Sequence, residues 1–81
     1  MSSQNSAFST RTMPDLNDAE LNILRLAANG YNTDRIAEET GMEFDRVKAA
    51  MQSAQIKLGA ATGLQAVSIA IRCGYIGMER R

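Results

Sequence analysis

Few side chains in this sequence can take part in covalent chemistry. Its 81 residues contain no histidine and one cysteine, Cys73, which excludes Ser-His and Cys-His nucleophile pairs, histidine-bound zinc and an internal disulfide. The adjacent carboxylates Glu38 and Glu39 are typical of a solvated helix face. Gly59 and Gly63 lack the lysine and hydroxyl spacing of a phosphate-binding loop. We therefore expect no catalytic residues, no metal, no cofactor and no enzymatic activity.

The side chains best suited to non-covalent recognition lie between residues 44 and 57. If the helical repeat of apolar residues in this segment points inward, Ala49 and Gln52 fall on the opposite face and Lys48 lies on its flank. Lys48 can then donate to guanine O6 and N7, Gln52 can pair with adenine N6 and N7, and the Ala49 methyl can contact a thymine methyl. From helix periodicity alone, a solvated face is the alternative interpretation. The inward set is Val47, Met51, Ala54 and Leu58, and the outward set also includes Asp45, Ser53 and Ile56.

Charge limits how strongly such a face can bind a polyanion. The whole chain has nine basic and nine acidic residues, whereas nucleic-acid-binding domains usually carry a basic excess. Residues 16–63 include five basic and seven acidic residues, a net charge of −2, and Glu43 and Asp45 lie at the helix end where a phosphate would dock. One copy should therefore hold DNA weakly at physiological salt. The candidates for phosphate contacts are Thr33, Arg35, Arg46 and Lys57.

Four helices and no strands are predicted to position these residues. Asn17 with Glu20, and Thr62 with Gln65, form capping-box patterns, and a glycine follows each run of helical periodicity. No alternating apolar run is bounded by hairpin residues, so the predicted fold class is all-α. The predicted helical segments are 17–30, 32–41, 44–57 and 62–74.

The predicted domain spans residues 15–78, between a polar leader and a short tail at 79–81. Residues 1–14 are mostly polar and are predicted to be a flexible arm without a signal-peptide pattern. The longest charge-free stretch, 58–71, falls short of the roughly 20 apolar residues that cross a bilayer. A lone thiol fits a reducing compartment. We therefore expect a cytoplasmic protein with no membrane partner, and Cys73 buried as a small hydrophobe.

The second and third predicted helices have the layout of a helix-turn-helix, with a tight turn at 40–43 between them. Together with the flanking helices, their residues resemble the LuxR-type helix-turn-helix, the DNA-binding domain of LuxR/NarL-type transcription regulators. The resemblance covers residues 16–76, about three quarters of the chain. The shared residues are Leu16, Glu20, Leu24, Leu26, Ala27, Gly30, Ile36, Ala37, Val47, Lys48, Lys57, Leu58, Gly59, Ala66, Val67, Ala70, Gly74 and Ile76.

This resemblance implies a sequence-specific transcription regulator that reads the major groove of double-stranded DNA with its third helix. In this family the fourth helix typically forms the homodimer contact, and in this chain that helix is apolar on more than one face. The residues expected at a dimer or partner interface are Leu64, Ser68, Ile71 and Arg72.

Departures from the family pattern fall on positions that would face DNA. Glu43 stands where a capping serine is common, and Gly63 stands where an arginine typically meets phosphate. These departures favour an alternative function, a helix-turn-helix that does not bind DNA. Such an interaction module would pair with a larger transcription regulator through its fourth helix.

Overall fold

The computed structural model describes residues 15–77, which form four α-helices. No strand occurs within these residues, and the all-α prediction is confirmed. The predicted arm, Met78 and the predicted tail lie outside the described residues. The helices are α1 (Asp18–Ala28), α2 (Thr33–Thr40), α3 (Phe44–Leu58) and α4 (Gly63–Arg72).

Side chains cap three of the four helix N-termini within residues 15–77. At α1 the Glu20 backbone N–H donates to Asn17 Oδ1 at 2.8 Å and the Asn17 N–H donates to Glu20 Oε1 at 2.9 Å, which completes the capping box. At α4 the Gln65 N–H donates to Thr62 Oγ1 at 3.0 Å, while the Gln65 side chain accepts from the amide one residue before Thr62 at 2.6 Å. Only α3 lacks this support, because the Glu43 side chain makes no cap hydrogen bond.

The core consists of two apolar clusters that share Ala27 and Met51 as partly buried members. One cluster joins α1, α3 and α4, and the other joins α1, α2 and α3. Completely buried alanines in the first cluster allow the helix axes to approach closely. The buried members of the first cluster are Leu24, Ala54, Ala66, Val67, Ala70 and Ile76, and those of the second are Ile23, Ile36 and Val47.

A three-residue turn joins α2 to α3 and gives the predicted helix-turn-helix. Gly41 has φ +75°, a left-handed conformation that favours glycine, and its N–H donates back to the last turn of α2 at 2.9 Å. The Thr40 hydroxyl donates to the Ile36 carbonyl at 2.7 Å and accepts from the Met42 N–H at 3.2 Å. The chain therefore changes direction between Thr40 and Phe44, and α3 packs one side against α2 and leaves the outer side exposed.

The end of α4 corrects one expectation from the sequence. Cys73 is exposed, so the prediction that it is buried was wrong. The helix ends just before it, and Gly74 (φ +82°) turns the chain back so that the Tyr75 N–H donates to the Ala70 carbonyl at 2.8 Å. Ile76 then fills the end of the core and is 5% exposed, which leaves no place there for the thiol.

Candidate nucleic-acid interface

The outer face of α3 carries the three side chains predicted to read bases. Lys48, Ala49 and Gln52 are all exposed, because Val47 and Ala54 turn the opposite side of the helix into the core. Their arrangement follows from the helical repeat of about 3.6 residues per turn. The structure therefore brings a cation, a methyl group and an amide together on one uncovered surface.

Phe44 lies beside this surface in the first turn of α3. It is 44% exposed, and the Lys48 Nζ lies 5.6 Å from the centroid of its ring, within the range of a cation–π contact. This contact orients the Lys48 side chain without neutralising its charge. The ammonium group thus remains available to a hydrogen-bond acceptor on a ligand.

Asp45 and Ile56 lie on the same outer face, before and after the base-reading candidates. Asp45 is exposed, and no ion pair within residues 15–77 includes it. Ile56 is 79% exposed, as predicted from the helical repeat. Along α3 the outer face therefore presents, in order, a carboxylate, a cation, a methyl group, an amide and a branched aliphatic side chain.

The flank of α3 that faces α1 holds a polar network that the sequence did not reveal. Glu20, only 3% exposed, accepts hydrogen bonds from Ser53 Oγ at 2.7 Å and from Lys57 Nζ at 2.8 Å. Lys57 Nζ also donates to the Asp15 carbonyl at 2.8 Å. The outward placement predicted for Ser53 was wrong, because its hydroxyl is partly buried against α1. Lys57, a candidate phosphate contact, is paired with Glu20 in this structure.

The ionisation of Glu20 is tied to this network. Burial alone raises its pKa, but hydrogen bonds from Lys57, Ser53 and the Asn17 backbone, together with the charge of Lys57, bring the pKa below the ordinary value of 4.5. The carboxyl group is therefore ionised at neutral pH. It joins the N-terminus of α1 to the C-terminal half of α3.

The other phosphate candidates lie around α2 and the N-terminus of α3. The Arg35 guanidinium lies 4.7 Å from the centroid of the Tyr31 ring and 3.3 Å from the Glu39 carboxylate. Thr33 is partly buried at the start of α2, and Arg46 is exposed on α3. Arg46 also lines a surface depression with Gly41, Met42 and Glu43. Arg35 thus shares its charge with Glu39, whereas Arg46 has no ion pair within the described part of the chain.

An open cleft of about 320 Å³ lies where the four helices meet. Gly63, the position where the family commonly has arginine, is at its edge with Leu64. A Cβ atom at Gly63 would lie 3.4 Å from Gln55 Nε2 and 3.7 Å from Met51, so a side chain can be accommodated there. The residues lining the cleft are Ala27, Tyr31, Asn32, Thr33, Ile36, Met51, Gly63, Leu64 and Val67.

The residues predicted at a dimer or partner interface are spread along the outside of α4. Leu64 is 81% exposed, and Ser68 and Arg72 are also exposed. Ile71 is partly buried and packs against the core cluster that joins α1, α3 and α4. Three of the four side chains are thus accessible, and Ile71 contributes to both the core and the outer surface.

Residues 15–77 contain neither a candidate metal centre nor a candidate membrane-spanning helix. No group of three or more His, Cys, Asp or Glu residues there could hold a metal ion. No helix of this part of the chain is long and apolar enough to cross a membrane.

No protein-family model matches this chain, and no curated protein sequence matches it. Among solved structures, the transcription factor GerE matches with a TM-score of 0.75 at 23% sequence identity, over 79% of this chain and 96% of that one. A phage VqmA, solved as a complex with DPO, matches with a TM-score of 0.74 at 18% identity, over 93% of this chain and 38% of that one. These likenesses show that the chain shares its four-helix fold with GerE and with part of VqmA, which is the fold that the resemblance in the sequence implies.

Proposed function

We propose that this chain is a sequence-specific DNA-binding transcription regulator that reads the major groove with α3. The observation that carries the proposal is the accessible set of Lys48, Ala49 and Gln52 on the uncovered face of α3, within a fold shared with the transcription factor GerE. The major groove admits an α-helix, and these side-chain types match guanine, thymine and adenine edges respectively. Such a protein would act in the cytoplasm.

Contacts to phosphate would hold α3 in register without reading sequence. We assign this role first to Arg46, which is exposed and has no ion pair within the described residues. Arg35 and Thr33 at the start of α2 would contact the adjacent backbone. Lys57 could join them only by giving up its 2.8 Å contact with Glu20, so we expect its contribution to be the smallest.

A net charge of −2 over residues 16–63 argues that two copies bind together. Counterion release supplies most non-specific affinity, and an acidic domain gains little of it. A homodimer doubles the number of base contacts, and the exposed Leu64, Ser68 and Arg72 on α4 offer a surface for pairing. Sedimentation should show dimers that Leu64→Glu dissociates. Ile56→Glu, an equally exposed apolar position on α3, is the matched control and should leave the sedimentation coefficient unchanged.

Duplexes selected from a random pool with the purified protein provide the test of base reading. In fluorescence-anisotropy titrations, Lys48→Ala and Gln52→Ala should each weaken binding to a selected duplex about 5- to 150-fold, corresponding to about 1–3 kcal/mol per base contact. Arg25→Ala removes one positive charge from α1 and should weaken binding to selected and to random duplexes by the same small factor. Unchanged affinity of both α3 variants would refute the base-reading assignment.

One observation favours a second function, a protein-interaction module without DNA affinity. Ile56 exposes an aliphatic side chain on the same face as Lys48, and buried apolar contacts are more typical of protein partners than of phosphate backbone. Electrophoretic mobility shifts at low salt separate the two functions. If no duplex is shifted at any salt concentration and a larger regulator is recovered from lysate, the interaction module is the correct assignment.

A further inference from the structure

The outer face of α3 contains an acidic side chain that the proposed contacts do not use. Asp45 is exposed in the first turn of α3. Lys48, the basic side chain three residues further along this face, contacts the Phe44 ring at 5.6 Å, and no ion pair within residues 15–77 neutralises Asp45. Any ligand that lies along Lys48, Ala49 and Gln52 will therefore meet a bare carboxylate next to them.

A carboxylate has few acceptable partners in the major groove of DNA. Of the base edges exposed there, guanine and thymine offer only acceptors, whereas cytosine N4 and adenine N6 are donors. Adenine N6 lies beside the N7 acceptor, which repels a carboxylate oxygen, so Asp and Glu are better suited to cytosine N4. Against an acceptor or a phosphate, the same carboxylate would lose its water without gaining a hydrogen bond, which costs free energy. Asp45 can thus favour cytosine and disfavour sites without a donor at this position.

The spacing between Asp45 and Lys48 along α3 matches the spacing of neighbouring base pairs in DNA. Three residues along an α-helix advance about 4.5 Å, and neighbouring bases along one strand are about 3.4 Å apart. The acceptor of Asp45 and the donor of Lys48 therefore fall on one base pair or on adjacent pairs. A G·C pair presents both required partners in the major groove, since guanine accepts through O6 and N7 and cytosine donates through N4.

We propose that Asp45 is a specificity-determining residue that, with Lys48, selects DNA sites containing a G·C element by accepting from cytosine N4. This inference rests on the proposed function, because it requires α3 to enter the major groove. It assigns the acidic first turn of α3 a selective role: the carboxylate lowers affinity for most duplexes and leaves cytosine-containing sites less affected.

Two substitutions at Asp45 and one matched control test the proposal. Asp45→Asn keeps the size of the side chain, and because asparagine pairs with adenine N6 and N7, the preferred base at one position should change from cytosine to adenine. Asp45→Ala should remove the preference at that position, reducing discrimination there by at least about five-fold, the lower end of a good base contact. Glu43→Gln removes a charge from the same helix end, but at the N-cap position beside Arg46. It should raise affinity for all duplexes equally and leave every base preference intact.

Selection from randomised duplexes with the full chain and the three variants gives distinguishable outcomes. A cytosine-to-adenine change in Asp45→Asn alone, with circular dichroism spectra unchanged, supports the proposal. If the full chain selects a sequence but Asp45→Asn behaves like Glu43→Gln, Asp45 acts only through its charge, and this inference is overturned while the proposed function stands. If the full chain shifts no duplex at low salt, the proposed function fails and this inference fails with it.

Discussion

Substitution of Glu20 by glutamine should destabilise the domain through a buried network and not through a surface charge. The glutamine keeps the shape of the side chain but leaves Lys57 Nζ, now 2.8 Å from Oε1, without its counter-charge. Glutamine also has one acceptor oxygen where the carboxylate has two, so either Ser53 Oγ, which donates to Oε2 at 2.7 Å, or the donors to Oε1 lose their acceptor. Glu20→Gln therefore tests how much this network contributes to the stability of the fold.

The expected loss is about 2 kcal/mol in the free energy of unfolding. Removing one partner of a fully buried ion pair costs about 3–5 kcal/mol, but the Lys57 side chain is 32% exposed and can turn toward water. A hydrogen bond to a charged group contributes about 1.5–3 kcal/mol, which supports a value in this range. For a domain of 60–100 residues, the melting temperature should fall by about 8–16 °C.

Thermal and urea unfolding followed by circular dichroism at pH 7 measure this loss. Glu39→Gln is the matched control, because Glu39 pairs with Arg35 at 3.3 Å on the surface, and exposed pairs contribute only about 0.2–1 kcal/mol. If Glu20→Gln and Glu39→Gln lower the melting temperature equally, the Glu20 network does not stabilise the fold as we argue.

The lowered pKa of Glu20 also predicts that the stability of the domain depends on pH. The pKa of Glu20 is lowered in the folded chain, so its carboxylate stabilises the fold fully above the unfolded pKa, about 4.3, and this stabilisation is lost as pH falls through the folded pKa. The difference in the free energy of unfolding between the original chain and Glu20→Gln should therefore be constant above pH 5. It should shrink as the pH falls below the unfolded pKa of glutamate. A difference that stays constant down to pH 3 would contradict the lowered pKa.

Three further predictions concern single positions. Exposed Cys73 should react with a thiol reagent in the folded protein at a rate close to that in denaturant, whereas strong protection would contradict its placement. Thr62→Ala removes the hydroxyl that accepts from the Gln65 N–H at 3.0 Å and should cost about 1 kcal/mol of stability; urea unfolding measures this, and an unchanged midpoint would count against the cap. Gly63→Arg adds a cation where a Cβ atom meets only ordinary contacts. It should raise affinity for random duplexes and steepen the salt dependence by about 0.9 if the new charge neutralises one phosphate, and unchanged titrations would show that α4 begins away from DNA.

Local features of the sequence were sufficient to predict the helices and most of the outer face of α3. Capping residues such as Asn17 act on amides within three positions, and the helical repeat places Val47 inside and Ile56 outside without reference to other helices. The prediction failed for Cys73, because its burial depends on where the chain turns after α4. That turn is set by Gly74 and by the return of Ile76 to the core.

The Glu20 network could not be predicted because its bonds join residues far apart in the chain. Ser53 and Lys57 lie 33 and 37 positions from Glu20, and the helical repeat gives the angle of Ser53 on α3 but not the helix that packs on that side. The available signal was weak: Glu20 had a role in the capping box, and Ser53 and Lys57 lie one turn apart. The spacing of Ser53 and Lys57 indicates that the two side chains can share a partner, but the sequence does not identify Glu20 as that partner.

The Glu20 network also determines which charges remain to meet a ligand. Because Lys57 is paired with Glu20, one basic and one acidic charge compensate each other, so the net charge of −2 over residues 16–63 is unchanged but fewer unpaired cations remain. An acidic surface suppresses non-specific binding to DNA, since that binding depends on neutralised phosphates. Affinity would then have to come from base contacts along α3 and from a second copy. Because base contacts are lost at every mismatched site, such a domain would bind fewer sequences than a basic one, with a larger ratio between specific and non-specific affinity.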